Sequence, residues 1–210
     1  MDITWLGHAA TRVRTRQAAV VMDPYDKSVG GTMGRPDAHI ITISHDDPSR
    51  NGVSGVASAN GAPMVLSGPG EYEIRGVIVE GARASIGEAA GEQRKSTLFI
   101  FEADGLKWAH LGGLGTQPSP SHLDLMTDVD IVIIPIAMPD SLGPADAARA
   151  IRPIEPSIVI PVGYDPADDQ ALKSFAGGLA TEPAEPVSRF TINRRPSEPG
   201  MQIVVLEARA

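Results

Sequence analysis

Short apolar or alternating runs, cut by glycine, proline and aspartate, fill the first half of the chain. "ITWLG", "ATRVRT", "AAVVMDP", "AHIITIS", "APMVLSG", "GEYEIRG" and "VIVEGAR" follow one another in this way. Period-two patterning broken by turn formers predicts strands there. "EYEIRGVIVEGA" turns at Gly76, and "STLFIFEADGLKWAHLGG" predicts a hairpin whose tip is Asp104-Gly105, a dipeptide suited to a two-residue turn. "GPGEYE" predicts a tight turn into a half-exposed strand. The second half changes period. "VDIVIIPIA" and "SIVIPVG" are continuous apolar runs of the kind buried on both faces of a sheet. Between them "GPADAARAIRPI" predicts a helix with Pro144 in its first turn, and "PADDQALKSFAGGLA" a second helix ending at Gly177-Gly178. "SRFTINRR" and "MQIVVLEAR" predict a closing strand pair. Strands followed by strand-helix units point to an α/β sandwich rich in sheet, with residues 1–210 as one domain.

Composition narrows the chemistry. Only 4% of residues are aromatic, whereas 22 are Gly and 18 are Pro, so the core is aliphatic and the chain turns often. The net charge of -8 opposes binding to nucleic acid, which draws its affinity from Lys and Arg on phosphates. With no cysteine and five histidines, any metal has to be held by His, Asp or Glu. The start "MDITWLGH" lacks the basic residues of a secretory leader, and no apolar run approaches the roughly 18 residues of a membrane span. These features lead us to expect a cytoplasmic protein with no membrane partner.

The richest chemistry lies in "TISHDDPSRNG", where an apolar strand opens into a His/Asp loop. A rigid strand can fix the first functional residue while the loop wraps the rest. This loop, together with "TWLGHAATRV", "VVMDPYD", "SGPGEYEIRGVIVEG", "GLKWAHLGGLG" and the strand-helix-strand from Ile131 to Tyr164, resembles the metallo-β-lactamase-fold superfamily, and within it the ascorbate-phosphate lactonase-like branch. The resemblance implies a four-layer αββα sandwich with a one- or two-zinc site at one edge of two sheets. It also implies frequent oligomers, hence a homo-oligomer.

Carried over residue by residue, the family's HxHxDH pattern meets His45 at its first position, then Asp47, Ser49 and Arg50 at the others. Ser85 or Ile86 stands near a further family His, Gly113 at the bridging Asp, Thr116 at the following His and Gly163 at the last ligand. A catalytic zinc usually has three protein ligands, and a permanent cation at Arg50 repels a divalent ion. The expectation is therefore no metal cofactor and a catalytically inactive pseudo-hydrolase used in binding or assembly. Arg50 takes the second metal's volume in that reading, and with Asp46 and Asp23 forms a cleft for a small anionic ligand. The alternative is a metal-dependent hydrolase of esters, lactones or phosphoesters, with Zn²⁺, Mn²⁺ or Fe²⁺ held by His45, Asp47 and either His8 or His110.

Structural readings stand beside these. His45 is expected to hydrogen-bond a neighbouring carboxylate. Asp46 and Asp47 are expected as turn formers paired with Arg50, and His8 with Asp23 as a hydrogen-bonded pair that has lost its metal. His110 either points into the cleft or is a satisfied sheet histidine.

Overall fold

The fold is taken from a computed structural model that describes every residue except 90, 91, 198, 199 and 210. In chain order the elements are β1 (Asp2–Gly7), β2 (Ala10–Arg14), β3 (Ala19–Met22), β4 (Asp37–Ala38), β5 (Ile40–Thr42), β6 (Ala57–Ser58), β7 (Met64–Leu66), β8 (Gly70–Ile74), β9 (Val77–Ala89), β10 (Glu92–Ala103) and β11 (Leu106–His110). Then come α1 (Pro120–Leu125), β12 (Ile131–Pro135), α2 (Pro144–Ile151), β13 (Ile158–Val162), α3 (Gln170–Leu179), β14 (Phe190–Thr191) and β15 (Gln202–Ile203). One sheet runs β14-β1-β2-β3-β5-β7, a second runs β15-β13-β12-β11-β10-β9-β8, and β4 and β6 form a small separate pair.

Alternation along the first sheet explains how it packs. Ile3, Trp5, Val13, Val20, Met22 and Ile40 enter one core with Phe99, Phe101, Trp108 and Ile133 of the second sheet. Their neighbours Leu6, Ala10, Val21 and Ile41 face the other way, against Tyr25, Met33 and Val53. Period-two side chains thus serve two layers at once. The outer layer on this side comes from residues 25–33 and 53–56, with 3-10 turns at Lys27–Val29 and Val53–Gly55. Ala147, Ala150 and Ile151 of α2 and Phe175 of α3 join the core beside β12 and β13, whose residues are all buried, as continuous apolar runs require. The layered α/β sandwich expected from the sequence is present.

Local turn chemistry sets the hairpins. Asp104 and Gly105 have φ of 55° and 75°, the left-handed pair of a type I′ turn, and Ala103 faces Leu106 across it. Arg75 and Gly76 repeat the arrangement between β8 and β9.

Two expectations change. The C-terminal strands do not pair with each other: β14 adds to β1 and β15 to β13, so the chain's end ties both sheets together. The second helix does not stop at Gly177-Gly178 but runs to Leu179, with Ala180 left-handed at its cap. A Cβ at Gly178 would lie 2.6 Å from Cβ of Ala148, so this glycine lets α3 approach α2. The sequence reading had no α1. It starts at Ser119-Pro120, and Ser119 and His122 cap it reciprocally. Among the described residues, no helix is long and apolar enough to cross a membrane.

The topology fixes one edge. β3, β5 and β7 are parallel, as are β11, β12 and β13. Their carboxyl ends deliver Asp23, Ser44-His45, Leu111 to Gly113, Ile136 onward and Gly163 to the same region, stitched by Thr97 N–H donating to Ser44 O at 2.7 Å.

Candidate functional site

Asp23 follows β3 with φ 47°, a strained conformation for a non-glycine residue, and is fully buried. Its Oδ1 accepts from the Ser44 backbone N–H at 2.7 Å, and its Oδ2 accepts from the Ser44 hydroxyl at 2.8 Å and from Arg50 Nη1 at 3.1 Å. Because the Ser44 proton is directed at Asp23, the Ser44 oxygen is left to accept from His45 Nδ1, 3.2 Å away.

Arg50 is brought inward by the turn before it. Asp47 Oδ1 accepts from both the backbone and hydroxyl of Ser49, and Arg50 N–H donates to Asp47 O. The guanidinium is completely buried and reaches across to the loop after β12, where Nη2 donates to Asp140 Oδ1 at 2.7 Å. Asp140 Oδ2 lies 2.7 Å from His45 Nε2, a close contact outside good hydrogen-bond alignment. One arginine thus bridges two carboxylates, and a histidine borders the second. The Arg50 Nε and His110 Nδ1 have no hydrogen-bond partner among the described residues. His110 instead places Nε2 at 3.3 Å from Ala9 O, with Nδ1 4.0 Å from Asp23.

The sequence-predicted residues divide accordingly. Asp23, His45, Arg50 and, at its margin, His110 come together. Asp47 turns its carboxylate to Ser49, exposed Asp46 accepts from Asn51, and His8 places Nε2 near Gly30 O with its ring edge against Tyr25. The expected pairs of Arg50 with Asp46 or Asp47, and of His8 with Asp23, are therefore replaced by Arg50 with Asp23 and Asp140. Buried Arg50 also has no open face for an anion, since its terminal nitrogens are committed to carboxylates. Asp140 escaped the sequence reading, as did Ser44 and Ser96. The available signal was that Asp140 is the one acid between β12 and α2, at the carboxyl end of a buried parallel strand.

A divalent ion can be tested against this donor set. Among the described residues, no three His, Asp or Glu side chains converge as a metal-holding group. A Cβ at Gly113 would lie 2.8 Å from His45 Nδ1 and closer still to Ser96 Oγ, so serine fills the space a bridging aspartate would need. At Gly163, a Cβ would meet Met138 Cγ at 2.8 Å and Sδ at 3.0 Å. Gly115 is backed against Ile86, and the Ser85 hydroxyl accepts from Gly87 N–H. Gly113 and Gly163 are thus closed by their neighbours, Thr116 lies exposed, and the guanidinium supplies positive charge between the remaining carboxylates. These residues do not fit a catalytic zinc. A hollow of about 690 Å³ lies elsewhere, over the outer face between Tyr25, Lys27, Met33 and Ser54.

Protonation couples the cluster to stability. Burial pushes the Asp140 carboxyl up, but the His45 contact and the Arg50 charge more than reverse this and hold it well below the ordinary carboxylate range. Burial holds His110 below the usual imidazole value, with Arg50 adding to it and Asp23 opposing; burial and Arg75 act likewise on His39. A histidine that refuses a proton when folded loses stability once the unfolded chain binds one, below pH ~6.5; a depressed carboxylate loses its contribution below pH ~4. We expect the urea midpoint to fall in two steps as pH drops from 8 to 3, with Asp140→Asn flattening the lower one. A midpoint constant down to pH 4.5, or an unchanged lower step in Asp140→Asn, would sink this reading.

Comparison with known proteins agrees with the geometry at the level of fold. The sequence matches the family described as a beta-lactamase superfamily domain over residues 2–163. A protein of Pyrobaculum arsenaticum named a metal-dependent hydrolase is 25% identical, over 79% of this chain and 84% of its own. A Methanopyrus kandleri protein of the same description is 26% identical, over 78% and 84%. Among solved structures, a metallo-beta-lactamase superfamily protein from Thermotoga maritima superposes with a TM-score of 0.79 at 24% identity, covering 99% of both chains. A Parabacteroides distasonis protein gives 0.67 at 19% identity, covering 99% of this chain and 93% of that one.

Proposed function

Because the chain belongs to the beta-lactamase superfamily, we propose that it is a member in which an arginine has replaced the metal, leaving a pseudo-hydrolase that acts in binding or assembly. The observation that carries this reading is Arg50, fully buried, with one terminal nitrogen 3.1 Å from Asp23 and the other 2.7 Å from Asp140. A guanidinium donates in a fixed planar fork and keeps its charge at any ordinary pH. It can therefore hold two carboxylates at this edge as a metal would, but it offers no open coordination position at which to activate water.

A second reading has its own support. The relatives are named metal-dependent hydrolases, and those names favour a metal-dependent hydrolase more directly than an inactive protein; the second reading is such an enzyme with a residual mononuclear site, acting on esters, lactones or phosphoesters. His45 would be the imidazole of such a site, and Arg50 would have to leave it.

The two readings part in one assay. Purified protein is offered an aryl ester, a lactone and a phosphodiester, each with added Zn²⁺, Mn²⁺ or Fe²⁺ and again with chelator. The pseudo-hydrolase reading expects no turnover that responds to chelator or to His45→Ala. Turnover abolished by both treatments would establish the hydrolase in its place.

A further inference from the structure

A second charged cluster lies on the outer face of the first sheet. The β1–β2 register sets Asp2 opposite Arg14 and Thr4 opposite Arg12, while Ile3, Trp5 and Val13 between them turn to the core. Arg189, just before β14, and Arg209, whose backbone N–H donates to Trp5 O at 3.1 Å, bring two more guanidiniums to the same place. Together these residues line a cavity of about 330 Å³.

Charge there runs against the rest of the protein. The chain carries a net -8, yet here four arginines from three separate segments meet two carboxylates. Asp37 is engaged by Arg12, at 2.7 Å from Nη2. Asp2 accepts from Thr191 at 2.7 Å and lies 3.9 Å from Arg189. No ion pair to Arg14 or Arg209 exists among the described residues. Burial, followed by the charges of Arg14 and Arg209, draws Arg12 below the ordinary guanidinium value, with Asp37 opposing. Like charges gathered in a concave site repel one another unless an anion joins them.

We propose that this cavity is a binding site for a small phosphorylated molecule, recognised through Arg12, Arg14, Arg189 and Arg209. Arginine forks suit phosphate oxygens, and several of them select a ligand with more than one negative charge. The size of the cavity is at the lower end for small-molecule sites, ~300 Å³ and above. The surrounding negative field disfavours a long polyanion and favours a compact one. The site is independent of the buried Arg50 cluster, so its fate does not depend on whether that cluster is metal-free.

The test is calorimetric titration of the intact chain with inorganic pyrophosphate at low ionic strength. Saturable binding is expected. Arg14→Ala and Arg209→Ala, both at exposed positions compatible with an unchanged fold, should each weaken it about tenfold, the effect of one lost charge-assisted contact. Arg149→Ala, which removes an exposed arginine of α2, should leave it unchanged. No saturable heat, indifference to Arg14→Ala and Arg209→Ala, or an equal loss in Arg149→Ala would each overturn the proposal.

Discussion

Arg50→Ala is expected to destabilise the protein by about 3–5 kcal/mol, the range for stripping one partner from a buried ion pair. The cause is what remains. Asp23 is fully buried and would keep its two Ser44 donors but lose its cation, and Asp140 would keep only the His45 contact. Arg50→Lys should recover only part of the loss, because an ammonium cannot bridge both carboxylates with a planar fork. Arg50→Met combined with Asp23→Asn and Asp140→Asn should recover more, since the uncompensated charges leave with the arginine. Urea unfolding of this series measures the coupling. If Arg50→Ala lost under 1 kcal/mol, the guanidinium would not be what holds this edge.

The second large effect is expected at Gly113. Gly113→Asp places an aspartate where the family resemblance puts the bridging ligand, so a site still built for metal would accept it. Here the new Cβ would press on Ser96 Oγ and His45 Nδ1, and the carboxylate would add negative charge to a closed space. Overpacking costs ~1–3 kcal/mol, and a buried unpaired charge adds to it. We expect a total loss of about 3 kcal/mol or more, with no zinc retained after desalting. A variant as stable as the parent that takes up zinc would mean the space had stayed open.

Much of this fold could be read from the sequence because the signals were local. Asp104-Gly105 and Arg75-Gly76 satisfy their turns with their own backbone preferences, and Pro144 opens α2 from its first position. Where the deciding contact was distant, the reading failed. β14 and β15 are two-residue strands that exist through partners in different sheets, and α3 runs on through Gly178 because Ala148 needs the room there. The site shows the same division. His45, Asp23 and Arg50 stood out individually, but the partner that organises them, Asp140, lies 90 residues from Arg50 and joins it only in the fold. The local pairing of Arg50 with Asp46 or Asp47 was reasonable from proximity. It lost because Asp47 satisfies its carboxylate on Ser49 and in doing so turns the arginine inward.

The most direct test of the arginine-for-metal account is titration of untagged, metal-stripped protein with Zn²⁺, followed by calorimetry and by metal analysis after desalting, with His45→Ala in parallel. The account predicts no stoichiometric zinc in either protein. Zinc bound at one ion per chain by the parent and lost in His45→Ala would contradict it.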